Sequence, residues 1–202
     1  MTTPIVPANT RKEAIRMADQ YVFCVDFNKC IACKTCEMAC NEYYGLEGIH
    51  RRKVVFFQTE ILDNVVHFTI SCNHCQNPVC VSICPQNNFH KRRDGIVVLQ
   101  SNNCRTCLRC VTACPFRAPK INPKTNRADK CNMCVERIER GFKPVCVESC
   151  VTHALNIMKV DSAKRKSMAM EHKTRIPLES YTNPSIVSTT KKKKRTIFLR
   201  EG

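Results

Sequence analysis

The sequence predicts an α+β fold whose interior is organised by something other than aliphatic packing. Three observations predict it. Of 202 residues 17 are cysteine, about 8% of the chain, a level that marks a disulfide scaffold or a metal protein. Without the cysteines, apolar residues make up only about 35% of the chain, with no Trp and five Gly, a thin supply for a conventional core. Short β-rich stretches, Tyr21 to Asp26, Val65 to Ile70 and Gly95 to Leu99, precede cysteine groups. Strand, ligand loop and short helix in repetition make an α+β unit, and the apolar strands serve to cover what the loops hold.

Each class of fold that composition permits can be narrowed further. The longest apolar runs, of which Val54 to Phe57 is typical, fall far short of a membrane span, so no transmembrane segment is expected. Met1 to Gln20 has no continuous apolar segment and no basic region leading into one, so no secretory signal is visible. The Arg pairs at Arg51-Arg52 and Arg92-Arg93 are internal and cannot act as an export signal. A disulfide framework needs an oxidising compartment, nothing here directs the chain to one, and the cysteine count is odd.

Spacing then separates the remaining readings. Sixteen cysteines fall into four groups of four: Cys30, Cys33, Cys36, Cys40; Cys72, Cys75, Cys80, Cys84; Cys104, Cys107, Cys110, Cys114; and Cys131, Cys134, Cys146, Cys150. The first and third have the C-x2-C-x2-C-x3-C spacing of bacterial ferredoxins, in which three thiolates wrap one cubane and the fourth ligates a second cluster. Pro85 and Pro115 follow the last cysteines of groups two and three, where a fixed φ ends the local turn. Zinc is the alternative, because paired Cys-x-x-Cys also suits a tetrahedral ion. A zinc ribbon, however, uses two pairs roughly 15–20 residues apart and leaves the third cysteine of each C-x2-C-x2-C loop surplus. Iron–sulfur clusters are therefore expected, in two ferredoxin-like units of two clusters each.

The order and spacing of these groups resemble the four-cluster iron–sulfur electron-transfer subunits of molybdopterin oxidoreductases, above all the dimethyl sulfoxide reductase type. The resemblance runs from about Tyr21 to Val160. It is carried by Cys30 to Cys40 (Cys-Ile-Ala-Cys-Lys-Thr-Cys-Glu-Met-Ala-Cys), by Ser71-Cys72-Asn73-His74-Cys75, by His90 to Gly95 (His-Lys-Arg-Arg-Asp-Gly) and by Lys143 to Cys150 (Lys-Pro-Val-Cys-Val-Glu-Ser-Cys). The short linker between Cys114 and Cys131 also suits it. The resemblance implies that groups one and four form one unit and that residues 67–119 form the other, inside a core of residues 21–160. An N-terminal extension, 1–20, would precede this core and a basic tail, 161–202, would follow it.

The resemblance further implies four 4Fe–4S clusters with crossed ligands. One would take Cys30, Cys33, Cys36 and Cys150; the second Cys72, Cys75, Cys80 and Cys114; the third Cys104, Cys107, Cys110 and Cys84; the fourth Cys131, Cys134, Cys146 and Cys40. Nitrate-reductase-like relatives lack cysteine at the second position of group three and carry a 3Fe–4S centre; Cys107 favours four cubanes here. Asn41 and Val151 stand where proline often follows the last cysteine, which alters shielding rather than cluster number. The implied partners are a large molybdopterin catalytic subunit and an integral-membrane quinol-oxidising anchor. The chain itself would have no catalytic side chain and would sit at the membrane, on the outer face through co-export or on the cytoplasmic face. Thiosulfate, polysulfide and formate enzymes use equivalent subunits, and a soluble polyferredoxin is the rival outside this class. A self-contained oxidoreductase is disfavoured because there is no Gly-rich nucleotide loop and no nucleophile–base pair.

Charge adds to this reading. The formal net charge is +16; four oxidised clusters at roughly −2 each would leave about +8. With few aromatics and no recognisable motif among the basic residues, no nucleic-acid partner is expected. Arg105, Arg109 and Arg117 surround group three; since reduction adds negative charge, the cluster of Cys104, Cys107 and Cys110 is expected to have the highest potential, unless these arginines instead bind acidic groups on a partner. The tail from Asp161 to Gly202 carries eleven Lys/Arg against four Asp/Glu, including Lys191 to Arg195, and reads as a solvated run, a strap that orders on a partner, or a contact for anionic lipid. Cys24 reads as a buried small hydrophobe. His74 is expected to hydrogen-bond near a cluster rather than ligate it, and His90 to lie on a basic turn, exposed or lining a route at a partner surface.

Overall fold

The computed structural model describes residues 19–59, 62–161, 182 and 184–189. Its strands and helices run β1 (Gln20–Asp26), α1 (Thr35–Tyr44), β2 (Arg52–Thr59), β3 (Leu62–Ser71), α2 (Val79–Ile83), β4 (Phe89–Lys91), β5 (Val97–Leu99), α3 (Arg109–Ala113), β6 (Lys120–Asn122), β7 (Arg127–Asp129), α4 (Val135–Glu139), α5 (Val145–Glu148), β8 (Leu155–Val160) and β9 (Ile186–Thr189). Helices and small, mostly antiparallel sheets mix as expected of an α+β chain.

β1 is the central strand of a three-stranded sheet, antiparallel to β8 and parallel to β9. Alternation explains its burial on both sides: Phe23 and Val25 enter the main core, while Val22 packs with Val160 and half-buried Cys24. Burial pushes the Cys24 thiol up to about 11, which fits a small apolar residue. The other sheets are hairpins that bridge the cysteine groups: β2–β3 between groups one and two, β4–β5 between two and three, β6–β7 between three and four.

Two features differ from expectation. His90 lies on strand β4 opposite Val98, exposed, and the turn begins only at Arg92, whose carbonyl accepts from Gly95 N at 3.1 Å. The His90–Lys91 pair alternates in and out with Phe89, which is buried, and so continues the strand instead of turning. Within the segment from Asp161 onward, Ile186–Thr189 joins the central sheet, and Thr182 and Ser185 are buried. Lys191 to Arg195 lie outside the described residues.

Cysteine replaces aliphatic residues at the centre. One core joins Phe23, Val25, Val54, Ile96, Met133, Val147 and Leu155 to Cys36, Cys72, Cys131 and Cys146. A second joins Phe89, Val97 and Ala128 to Cys80 and Cys110. Helix α1 packs on α5, and α2 packs on α3.

Candidate iron–sulfur sites

The loops that carry the leading cysteines share one backbone device. Two residues after the first cysteine of each group the chain turns left-handed: Ala32 (φ 58°), His74 (φ 43°), Thr106 (φ 53°) and Met133 (φ 59°). None is glycine, and such a conformation costs a non-glycine residue roughly 1–2 kcal/mol. The turn makes a concavity of inward-pointing amides that suits an anionic centre. In three loops the amide of this residue donates to the leading sulfur: Ala32 to Cys30, His74 to Cys72, and Met133 to Cys131 at 3.3 Å. In the remaining loop Ala128 N donates to Cys104 Sγ at 3.3 Å.

Short helices place the other thiols. Cys36, Cys80, Cys110 and Cys146 are each the second residue of α1, α2, α3 and α5, and Cys40, Cys84, Cys114 and Cys150 follow four residues later. Only Cys40 is still helical, one turn after Cys36 and roughly 6 Å further along the axis; Cys84, Cys114 and Cys150 lie just past the ends of α2, α3 and α5.

Four mixed quartets result. The thiols acting on Cys30 are Cys36, Cys150 and Cys33; those acting on Cys40 are Cys131, Cys146 and Cys134. Cys80 faces Cys72, Cys114 and Cys75. Cys110 faces Cys104, Cys84 and Cys107, and these four line one cavity closed by Phe89, Leu99, Ile121 and Ala128. Neighbouring quartets lie close enough to act on one another electrostatically: Cys36 on Cys146, and Cys131 on Cys72. With α2 and α3 joining the last two quartets, the order is Cys30's, Cys40's, Cys80's and Cys110's. Exposure follows that order. Cys33 and Cys107 are exposed at the ends, whereas Cys40, Cys131, Cys134 and Cys146 are all buried.

The donor chemistry fits iron–sulfur clusters. Burial and neighbouring thiols push Cys80 and Cys146 up to about 12 and Cys110 to about 11, and push Cys40 higher still. Burial likewise raises Cys72 to about 11, against the opposing pull of Lys130. Thiolates become stable in such places only when a cationic centre binds them, releasing the protons. Cys33 is the contrast: hydrogen bonds from the Thr35 hydroxyl and amide lower it. Among the described residues no three such side chains close on the volume of a single metal ion.

Buried polar atoms around these quartets await an acceptor. His74 is fully buried; its Nδ1 accepts from Val97 N at 3.0 Å, so the proton sits on Nε2, which has no partner. Burial first, then Lys130, Lys91 and Arg52, drive this imidazole far toward the neutral form. Among the described residues, its one side-chain hydrogen bond is the one from Val97 N. Asn73 Nδ2 and Arg52 Nε are also buried and unpartnered.

Sequence reasoning missed several polar residues of the site. Arg52, 2% exposed, and Lys130, 3% exposed, are both interior. Lys130 Nζ donates to Val97 O and, at 2.9 Å, to Cys131 O, next to Cys72 and Cys80. Thr182 hydrogen-bonds Cys75. Alternation along β2, where Arg52 and Val54 share the buried face, was the one available signal for Arg52.

Such loops, thiol quartets and hairpins define a ferredoxin-type 4Fe–4S protein. Residues 63–160 match the 4Fe–4S dicluster domain family. The chain is 37% identical over 182 residues to the B subunit of the anaerobic dimethyl sulfoxide reductase of Escherichia coli (strain K12), covering 85% of this chain and 89% of that protein. It is 38% identical over 154 residues to the thiosulfate reductase electron transfer subunit of Salmonella typhi, 73% of this chain and 80% of that one. It is also 36% identical over 156 residues to the B subunit of the polysulfide reductase of Wolinella succinogenes, with 74% and 82% covered. The chain belongs to the iron–sulfur electron-transfer subunits of the molybdopterin oxidoreductases. No helix among the described residues is long and apolar enough to cross a membrane.

Proposed function

We propose that this chain holds four 4Fe–4S clusters and relays electrons between a membrane quinol-oxidising anchor and a large molybdopterin catalytic subunit that reduces dimethyl sulfoxide. The ligands are the four quartets: Cys30, Cys33, Cys36, Cys150; Cys72, Cys75, Cys80, Cys114; Cys104, Cys107, Cys110, Cys84; and Cys131, Cys134, Cys146, Cys40. The observation that carries this reading is the gathering of the sixteen thiols into four groups, with Cys33 and Cys107 exposed and Cys40, Cys131, Cys134 and Cys146 buried. When bound, the clusters supply one-electron steps with no proton transfer. The protein's own residues bind them through thiolate, orient them through the left-handed loops, and exclude water with Phe89, Leu99, Met133 and Val147.

Exposed apolar side chains flank both ends: Ile31 and Val151 beside the Cys30 quartet, Leu108 and Ile83 beside the Cys110 quartet. They suit docking of two different partners and disfavour a freely diffusing polyferredoxin. The units we infer are groups one and four in one and residues 67–119 in the other, a division supported by the packing of α1 on α5 and of α2 on α3, with the basic tail, 161–202, acting as a strap on the large subunit. Membrane association then comes through partners, on the outer face if the complex is co-exported. Thiosulfate or polysulfide as terminal substrate is the second reading, favoured by similar identity over a shorter span.

The test is one anaerobic purification of the complex with iron, sulfide, molybdenum and subunit masses measured together. About sixteen iron and sixteen sulfide per chain are expected for four cubanes, with one molybdenum subunit several times larger. Zinc in place of sulfide, or a chain that purifies alone, overturns the reading.

A further inference from the structure

We propose that Arg52 is a positioning residue for electron transfer: its guanidinium is the internal counter-ion shared by the centres of the Cys30 quartet and the Cys40 quartet. It holds both at higher potential than they would otherwise have. This rests on the four-cluster reading above.

Arg52 opens β2 and points inward with Val54. Its Nη1 donates to Thr69 Oγ1 at 3.1 Å and its Nη2 to Ser71 Oγ at 2.9 Å, while its Cζ lies 4.5 Å from the centroid of the Phe23 ring. None of these partners is anionic, and Nε is buried with no acceptor at all. A guanidinium does not deprotonate in a protein, and a buried charge persists only when an opposite charge compensates it. The groups that can supply that charge are thiolates: Cys146, Cys131, Cys36 and Cys40 face it in order of decreasing influence. Cys146 belongs to helix α5, Cys36 and Cys40 to α1, and Cys131 to the loop before α4; together they represent both quartets.

Thr69 ties the arrangement together. Its oxygen accepts from Arg52 and from the Cys36 thiol, 3.4 Å away. Once Cys36 is a thiolate, that contact reverses and the Thr69 hydroxyl proton points at sulfur. Reduction of either centre adds one electron and no proton, so one negative charge appears beside a cation that stays fixed. That charge is more stable beside Arg52 than without it, and an electron on either side of the guanidinium benefits. Position between the two quartets makes the benefit common to donor and acceptor, so the step between them need not lose driving force.

Arg52→Gln and Arg52→Lys, each in the complete complex, test this by EPR-monitored redox titration with iron and sulfide counted. In Arg52→Gln at full iron, at least one of the two centres should lose about tenfold in its reduction equilibrium, about 59 mV for one electron. Arg52→Lys keeps the charge and should leave both potentials near native. Unchanged potentials in fully loaded Arg52→Gln, or a shift in Arg52→Lys as large as in Arg52→Gln, overturns the proposal. If Arg52→Gln loses iron, a loaded Arg52→Lys with native potentials supports it, whereas loss in both variants overturns it. A native complex with fewer than four centres would instead sink the four-cluster reading, independently of Arg52.

Discussion

Arg105 and Arg52 show how burial, rather than the count of nearby cations, decides what a charge does to a redox centre. Arg105, Arg109 and Arg117 are all exposed, although Arg105 lines the cavity of the Cys110 quartet. A unit charge 4 Å away is worth about 1 kcal/mol through water and about 4 at an effective dielectric constant of 20. Exposed arginines therefore contribute little, so the rise in potential they give the Cys110 quartet is expected to be small. Arg105→Gln, which removes one unit of charge, should lower the reduction equilibrium of its own centre by at most about fivefold at low salt, with most of that lost at 0.5 M salt as the Debye length contracts to a few Å. Redox titrations at two ionic strengths check this; a large, salt-independent shift would favour the highest potential at the Cys110 quartet. Composition could not make the distinction. Arg51, Arg52 and Lys53 look alike in sequence, yet Arg51 forms a bidentate pair with Asp129, at 2.5 and 2.9 Å, and Lys53 is exposed. Only the phase of β2 separates them.

At the scale of elements, legibility followed the range of the interaction. The sixteen thiols were readable because a loop of three closely spaced cysteines is a local motif, and β1, β3 and β5 because apolar β-branched runs are local too. β4, β6 and β7 are three residues each with no apolar run to mark them, unlike Val97 to Leu99, and β9 joins β1 across more than 150 residues, so neither kind was visible. The left-handed residues were hidden for another reason: Ala32, Thr106 and Met133 give no compositional sign of positive φ, which the loop geometry imposes on them. Glycine shows what such a position costs when packing intervenes. Gly95 and Gly141 share φ +81°, but a Cβ on Gly95 would lie 2.8 Å from Gln20 Cβ, while at Gly141 nothing lies within 4 Å. The Gly95 turn also docks on β1, where Tyr21 N donates to Asp94 O at 2.9 Å. Gly141→Ala should therefore cost about 1 kcal/mol, from backbone strain alone, and Gly95→Ala about 2–4 kcal/mol, since strain and overpacking add. Thermal unfolding of the two loaded variants compares them directly. Equal losses would mean that Gln20 moves aside freely.

Over the whole molecule, the segment after Asp161 divides into a stretch that packs on the core, Thr182 with Ser185 to Thr189, and a polybasic run further along the sequence. On the four-cluster reading a +16 chain keeps a surplus of roughly +8, and much of it resides after Asp161. The part nearest the core is structural. Phe23 N donates to Ser185 O at 3.3 Å, Ser185 N to Asn73 O at 2.9 Å, and Asn77 N to Thr182 O at 3.1 Å, so this stretch braces the Cys72–Cys75 loop while β9 covers one edge of β1. The polybasic run follows it in sequence. Two truncations of the chain, expressed with its partners, separate the roles. Removing 190–202 should leave about sixteen iron per chain and reduce recovery with the large subunit several-fold, because a strap of Lys191 to Arg195 is lost while every ligand loop and its bracing bonds are kept. Removing 182–202 should in addition cost about four iron, those of the Cys72, Cys75, Cys80 and Cys114 quartet, because the bonds to Asn73 and Asn77 and the Thr182 contact to Cys75 go with it. Iron analysis with quantitative pull-down reads both outcomes. Full recovery after the shorter truncation would make the basic run a solvated end, and full iron after the longer one would show that the Cys72–Cys75 loop stands without β9.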